Sequence, residues 1–562
     1  MRVILQEYLA SMKERDGLDA ILPDLLAQMG LIVFSRPSTG GRQYGVDVAA
    51  VGCLGDIPRA VYLFSIKAGE IGRSDWNSGK VQDLQPSLDE ILDVYIPTHL
   101  PKEYSELPIK ICICCGGGIR EAVRLNITAY EKKKSTDKVS FEEWTGDQLA
   151  FFIEKYFLRE ELVPEFLQSD LRRALALLND PDAATSYFSS LIYDLHESVT
   201  EKNTVTVLRQ MSLCLWILFA WCEKEENLGA AIAGAELTIL FAWNIVKNIP
   251  QKRQSVWRVF SSIFGQYSLI MNSYLEDKIF PYVSIENGLT VAVRSREPVD
   301  VNRRIIDLGS LIALNGIWFA SSKNFIAQND YENYKKIDCK VYEIQEMLKK
   351  LIVNNRTLLL SYSDDQSIDF FLMIFFLSLS EDNTEFVKDW ITELYVCSKY
   401  NYLLCKRYPS EVKRYEDLLF HPLERELSYN KDVTRSSIFY PMLAMFTATF
   451  GYENCYNDLI KFCKEYLEHC NMQYWFPDKE TEKNIYINSA VHGVSLTSIP
   501  LESDKKELLK LLKKECSATS CYEELSAVLL GYVPLVLLAC RKYRYPIPLQ
   551  VMETFWGNMN CR

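Results

Sequence analysis

The sequence predicts an α/β segment, a mixed sheet flanked by helices over residues 1–165, followed by a large all-α region over 166–562. Three observations predict it. Short runs of β-formers bounded by glycine turns (VDVAAV, AVYLFSIK, PIKICICC) occur before residue 160. Beyond Leu158 the apolar residues recur at helical spacing in long segments such as TVLRQMSLCLWILFAWCEKE and YNDLIKFCKEYLEHC. A chain of 562 residues is also long enough for two or more cores.

In chain order, Arg2–Met12 reads as a short helix. A second follows Asp16-Gly17, with Leu18, Ile21, Leu22, Leu25, Leu26 and Met29 on one face and Gly30 as its stop. Pro23 is tolerated because it lies near the first turn. Ser38-Thr39-Gly40-Gly41 is a turn signal. Val46–Val51 is a strand that carries an acid, Asp47, and 52–58 is a loop. Ala60–Lys67 is its hairpin partner and ends in Ser65-Ile66-Lys67. Val81–Tyr95 reads as a helix. PIKICICC is a third, buried strand, and Gly116-Gly117-Gly118 turn it into a helix near Arg120. That turn offers backbone N–H groups to a phosphate, or simply ends a buried strand; no P-loop lysine and serine follow. Glu142–Phe157 reads as a helix, giving the order α–β–β–α–β–α.

The texture changes after Leu158, and Asn179-Asp180-Pro181-Asp182 is a loop signal near the expected domain limit. The helical region shows no fixed repeat. It reads as a regulatory or oligomerisation domain of one or two subdomains. Tyr474–Pro500 reads as a long, partly ordered connection. FFLMIFFLSL is too short to span a bilayer, and Leu525–Cys540 is broken by Gly531 and Pro534. No membrane partner is expected.

The net charge is −12, so nucleic acid has to be held by a local basic patch, a metal ion or a partner. The 16 cysteines show no framework spacing and no signal peptide is read, which points to reduced core residues of a cytoplasmic protein. Cys112, Cys114 and Cys115 read as core. His196, His421, His469 and His492 stand apart from any ligand-spaced partner.

An acid on one strand and a lysine at the end of the next is the skeleton of a metal-dependent phosphodiesterase. Leu18-Asp19 followed by LLAQMG, Gly40-Gly41, Gly45-Val46-Asp47, the strand ending Ser65-Ile66-Lys67 and the strand PIKICICC resemble, in order and spacing, the Mrr-like branch of the PD-(D/E)xK restriction-endonuclease superfamily. The resemblance covers the N-terminal segment only. It implies a restriction-endonuclease-like domain in which Asp47 is the metal-binding acid, Lys67 the catalytic lysine and the Ile66 backbone carbonyl a further metal ligand. Asp19 matches the helix acid. Ser65 stands where the family carries Glu or Gln, and a neutral hydroxyl is the weaker ligand. Glu14 and Glu70 are further acids near this set. The cofactor implied is Mg²⁺, with Mn²⁺ as a substitute. Arg36, Arg42, Arg73, Lys80, Arg120 and Arg124 are candidate DNA-phosphate contacts, and Trp76 is a stacking residue or a packing one.

The expected function is a Mg²⁺-dependent DNA endonuclease, the effector of a prokaryotic defence system against phage or plasmid DNA. It would act as a homo-oligomer or with an ATPase or sensor partner, because the chain carries no motor motif. The alternative is a catalytically weakened scaffold or DNA-binding subunit.

Overall fold

A computed structural model describes residues 6, 9–10, 18–36, 44–55, 57–80, 82–156, 165–293, 295–326, 330–405, 408–421, 427–487, 493–501 and 504–553. Two compact units emerge: residues 1–246 with 250–267, and 247–249 with 268–562. The limit expected at 165 falls inside the first. Arg2–Met12, the 38–41 turn, Glu14, Arg42 and His492 lie wholly or mostly outside the described residues.

The first unit is built on a five-stranded sheet in the order β1-β2-β3-β4-β5: β1 (Ile32–Ser35), β2 (Val48–Gly52), β3 (Ala60–Lys67), β4 (Ile109–Cys115) and β5 (Val139–Trp144). β1–β2 and β2–β3 pair antiparallel; β3–β4 and β4–β5 pair parallel. A mixed sheet follows directly. The short 52–59 connection makes a hairpin, whereas the long crossover from β3 to β4 allows parallel pairing. β3 and β4 lie in the middle and are almost wholly buried, which is why they read as unbroken apolar runs.

The sequence reading is corrected at both edges. β1 went unrecognised, and Glu142–Trp144 belong to β5 rather than to a helix. The helix begins at Gly146.

α1 (Asp19–Gln28) precedes the sheet and ends as expected, with Leu31 N–H reaching back to the Leu26 carbonyl at 3.0 Å across Gly30. α2 (Leu84–Glu90) and α3 (Glu121–Lys134) close over Ala49, Val51, Val61, Leu63, Ile111 and Ile113, with Leu84, Leu88, Val123 and Ile127 facing that core. α4 (Gly146–Tyr156) follows β5, and its Phe152 packs on Trp144, which meets Phe64 edge-on. Trp76 is buried against Tyr130, so its role is packing. Cys112, Cys114 and Cys115 are buried core side chains.

The helices α5 (Glu165–Ala176), α6 (Pro181–Glu197), α7 (Thr204–Lys224) and α8 (Gly229–Val246) follow in the unit, with the first part of α9 (Gln254–Ser273). The Asn179–Asp182 signal is a tight turn between packed helices. Asp180 caps α6, accepting the Ala183 N–H at 3.2 Å, and Pro181 occupies the first helical position.

The second unit is helical, in keeping with a chain that is 66% helix. Its longer helices are α10 (Pro298–Ser322), α11 (Tyr331–Asn354), α12 (Ser367–Leu377), α13 (Thr384–Tyr400), α14 (Phe439–Thr449), α15 (Glu453–Tyr466), α16 (Lys505–Cys516) and α17 (Val533–Tyr543). The FFLMIFFL run lies in α12, every residue of which is buried. Asp364, just before α12, accepts hydrogen bonds from the Ser437 hydroxyl (2.5 Å) and the N–H groups of Ile438 (2.7 Å) and Phe439 (3.3 Å), tying down the start of α14. Within the Tyr474–Pro500 connection, Tyr474–Phe476 pairs antiparallel to Val494–Leu496.

Among the described residues, three helical stretches are long and apolar enough to cross a membrane by length and composition: Thr204–Lys224, Gly229–Val246 and Pro298–Phe325. They are not the two runs that stood out in the sequence. Between 61% and 78% of each apolar window is buried inside the protein.

Candidate active site

The C-terminal ends of β3 and β4 gather the residues in question. Tyr44 and Gly45 take φ of 49° and 80°, a left-handed turn that delivers the chain into Val46-Asp47. A Cβ on Gly45 would lie 2.1 Å from the Ser87 carbonyl oxygen, so only glycine fits. Gly45→Ala is expected to cost about 2–4 kcal/mol, from the backbone strain and the clash together, read as a lowered urea midpoint.

Asp47 leads into β2. Its N–H bonds the Phe64 carbonyl at 2.8 Å, one residue out of step with the Val48–Phe64 pairing. The ladder is therefore irregular at this point. The Asp47 carboxylate turns along the ladder instead, and Oδ2 accepts the Ile66 N–H at 2.7 Å. Burial pushes the Cys114 thiol well up, and the neighbouring Cys115 and Asp47 charges add to the effect, which puts Asp47 within electrostatic reach of β4.

Lys67 is the last residue of β3, adjacent to the Ile66 that Asp47 holds. Strand alternation puts it on one face with Leu63 and Ser65. Its Nζ donates to the Gln82 carbonyl at 2.9 Å. That partner was not legible from spacing; the turn residues in NSGK-VQD were the only hint. Burial acts to raise the Asp83 carboxyl, but the N–H groups of Lys80 and Ser78 and the Ser78 hydroxyl together bring it below its ordinary range. The loop carrying the Gln82 carbonyl is thus itself pinned.

Ser65 is 1% exposed, and its hydroxyl finds no hydrogen-bond partner among the described residues. An orphaned buried hydroxyl normally costs about 1–3 kcal/mol. Asp19 sits in the first turn of α1, partly buried. Its neighbour Leu18 packs 3.4 Å from where a Gly116 Cβ would stand, just past Cys115, which pairs with Lys67. The start of α1 therefore lies at the same end of the sheet as Lys67.

The arginines are mostly engaged. Arg36 lies 3.6 Å from Asp24, Arg120 bonds Glu70 at 2.9 Å, Arg124 pairs with Glu143, and Arg73 donates to the Ala122 carbonyl at 3.1 Å. Lys80 is exposed. Asp24 also faces Arg209 of α7 at 3.7 Å, and Gln28 accepts from the same guanidinium at 3.1 Å, so α1 is held from the helical side as well.

Among the described residues no three His, Cys, Asp or Glu side chains group closely enough to hold a metal ion. The donors at this end nonetheless suit Mg²⁺ in kind. It takes oxygen ligands, often one or two carboxylates, and keeps several waters. Asp47, the Ile66 carbonyl and Asp19 would hold it. No family model, curated protein or solved structure matches the chain.

Proposed function

We propose that the sheet end of the first unit is a Mg²⁺-dependent DNA endonuclease site, serving a prokaryotic defence system. The observation that carries the reading is the Asp47 carboxylate anchored on the N–H of Ile66, the residue that precedes Lys67 at the end of β3. When bound, the cation supplies charge neutralisation at the phosphate and an activated water. Asp47 fixes the geometry, because its carboxylate is already held by the strand it faces. The Lys67 ammonium, released from the Gln82 carbonyl, steadies the negative charge that develops on the phosphate. The β3 and β4 core beneath keeps both groups on rigid elements.

Plasmid DNA incubated with the full chain and Mg²⁺ or Mn²⁺ is expected to be nicked, and Lys67→Ala is expected to lose about 10²-fold or more of the rate. Equal nicking by parent and variant removes Lys67 from the chemistry. A second reading, a weakened nuclease-fold scaffold or DNA-binding subunit, is favoured by one observation: Ser65, at the position of the family's Glu or Gln, is buried and offers no acid. It predicts DNA binding without cleavage.

A further inference from the structure

We infer that α16 of the second unit is a nucleic-acid contact, its lysine face set against a phosphate backbone. Lys506, Lys510, Lys513 and Lys514 follow the i, i+4, i+7, i+8 pattern, which confines them to an arc of about 100° on the helix. Lys506, Lys510 and Lys514 are exposed and follow one another at a rise of about 6 Å. The opposite face, Leu508, Leu509, Leu512 and Cys516, is buried and fixes the helix in the protein.

The three exposed lysines of this face stand outside any ion pair among the described residues. On α11, by comparison, Lys336, Lys340 and Lys349 lie against Glu332, Glu276 and Glu346. Lys506, Lys510 and Lys514 have no acidic partner within ion-pair distance among the described residues, and Glu507 and Glu515 flank the arc rather than enter it. Three like charges one turn apart repel one another. In a chain of net charge −12, such a face is the kind of local patch a polyanion requires.

Phosphodiester backbone fits better than a bilayer. A helix that lies in a membrane interface inserts an apolar face. Here that face is already buried, and the exposed arc carries no aromatic or aliphatic side chain. Lysines act as point charges, so the contact reads no sequence.

The test uses the full chain carrying Asp47→Asn in EDTA, so that binding is read apart from cleavage. Fluorescence anisotropy follows a short random-sequence duplex DNA across a salt series. Lys506→Gln/Lys510→Gln/Lys514→Gln is expected to weaken binding by about tenfold or more at physiological salt. It should also flatten the log–log salt slope by about 2–3, some 0.9 per lost phosphate contact. Circular dichroism melts confirm that the triple variant folds. Unchanged affinity and slope, or no DNA binding by the parent at low salt, overturns the inference. So does binding to phosphatidylserine vesicles that DNA does not compete away. Failure of the nuclease reading shows instead as absent cleavage with this binding intact.

Discussion

Asp47→Asn should fold like the parent and cleave nothing, whereas Asp47→Ala should both lose cleavage and unfold more easily. The carboxylate has two duties. As an acceptor it satisfies the N–H of Ile66, a residue with no solvent exposure. As a charge it would hold the cation of the proposed nuclease site. Asparagine keeps a carbonyl oxygen for the first and abandons the second; alanine abandons both. An unsatisfied buried N–H costs about 1–3 kcal/mol, so urea unfolding of the first unit separates the two variants. Plasmid nicking should fall by about 10²-fold or more in both. Cleavage by Asp47→Asn at the parent rate would show that this carboxylate holds no catalytic cation.

Asp364→Ala is expected to cost about 3 kcal/mol or more in the second unit, because one side chain serves three donors at the start of α14. A pH effect accompanies it. Burial pushes the Asp364 carboxyl up to about 6, while the hydrogen bonds from Ser437, Ile438 and Phe439 act to lower it. Unfolded, the group ionises near its ordinary value of 3.8. Between about pH 4 and 6 the folded protein keeps a proton that the unfolded chain has released. This residue's contribution to stability is therefore full below that window and falls as pH rises through it. Thermal melts of parent and Asp364→Asn across the window should differ in slope, the variant being flatter. Parallel slopes would mean that the carboxylate is already ionised when the window opens.

What the sequence made legible follows from burial. β3 and β4 are central and buried, so AVYLFSIK and PIKICICC announce themselves by composition, and Gly30 and Arg120 mark real helix limits. The edge strands do not. β1 is four residues long with Ile32 exposed, and β5 carries Glu142 and Glu143, whose charges suggest a helix; both are strands because a neighbour pairs with them. At the candidate site the types and spacing of Asp47, Ser65 and Lys67 were readable. Their contacts were not. The irregular pairing at Asp47, the Gln82 carbonyl under Lys67, and the acids that occupy Arg36, Arg120 and Arg124 are tertiary matters that no local pattern encodes.

The grip of Arg209 on Asp24 and Gln28 bears on how the sheet-bearing head can be isolated. A fragment ending at 165 would deprive the Asp19 helix of its buttress, leaving Gln28 without the Arg209 guanidinium and Asp24 with Arg36 alone. Such a truncate should be insoluble or inert even if every residue proposed for the chemistry is present. A fragment that keeps this contact has to extend well beyond 165, since the compact unit holding both partners runs on to about Tyr267.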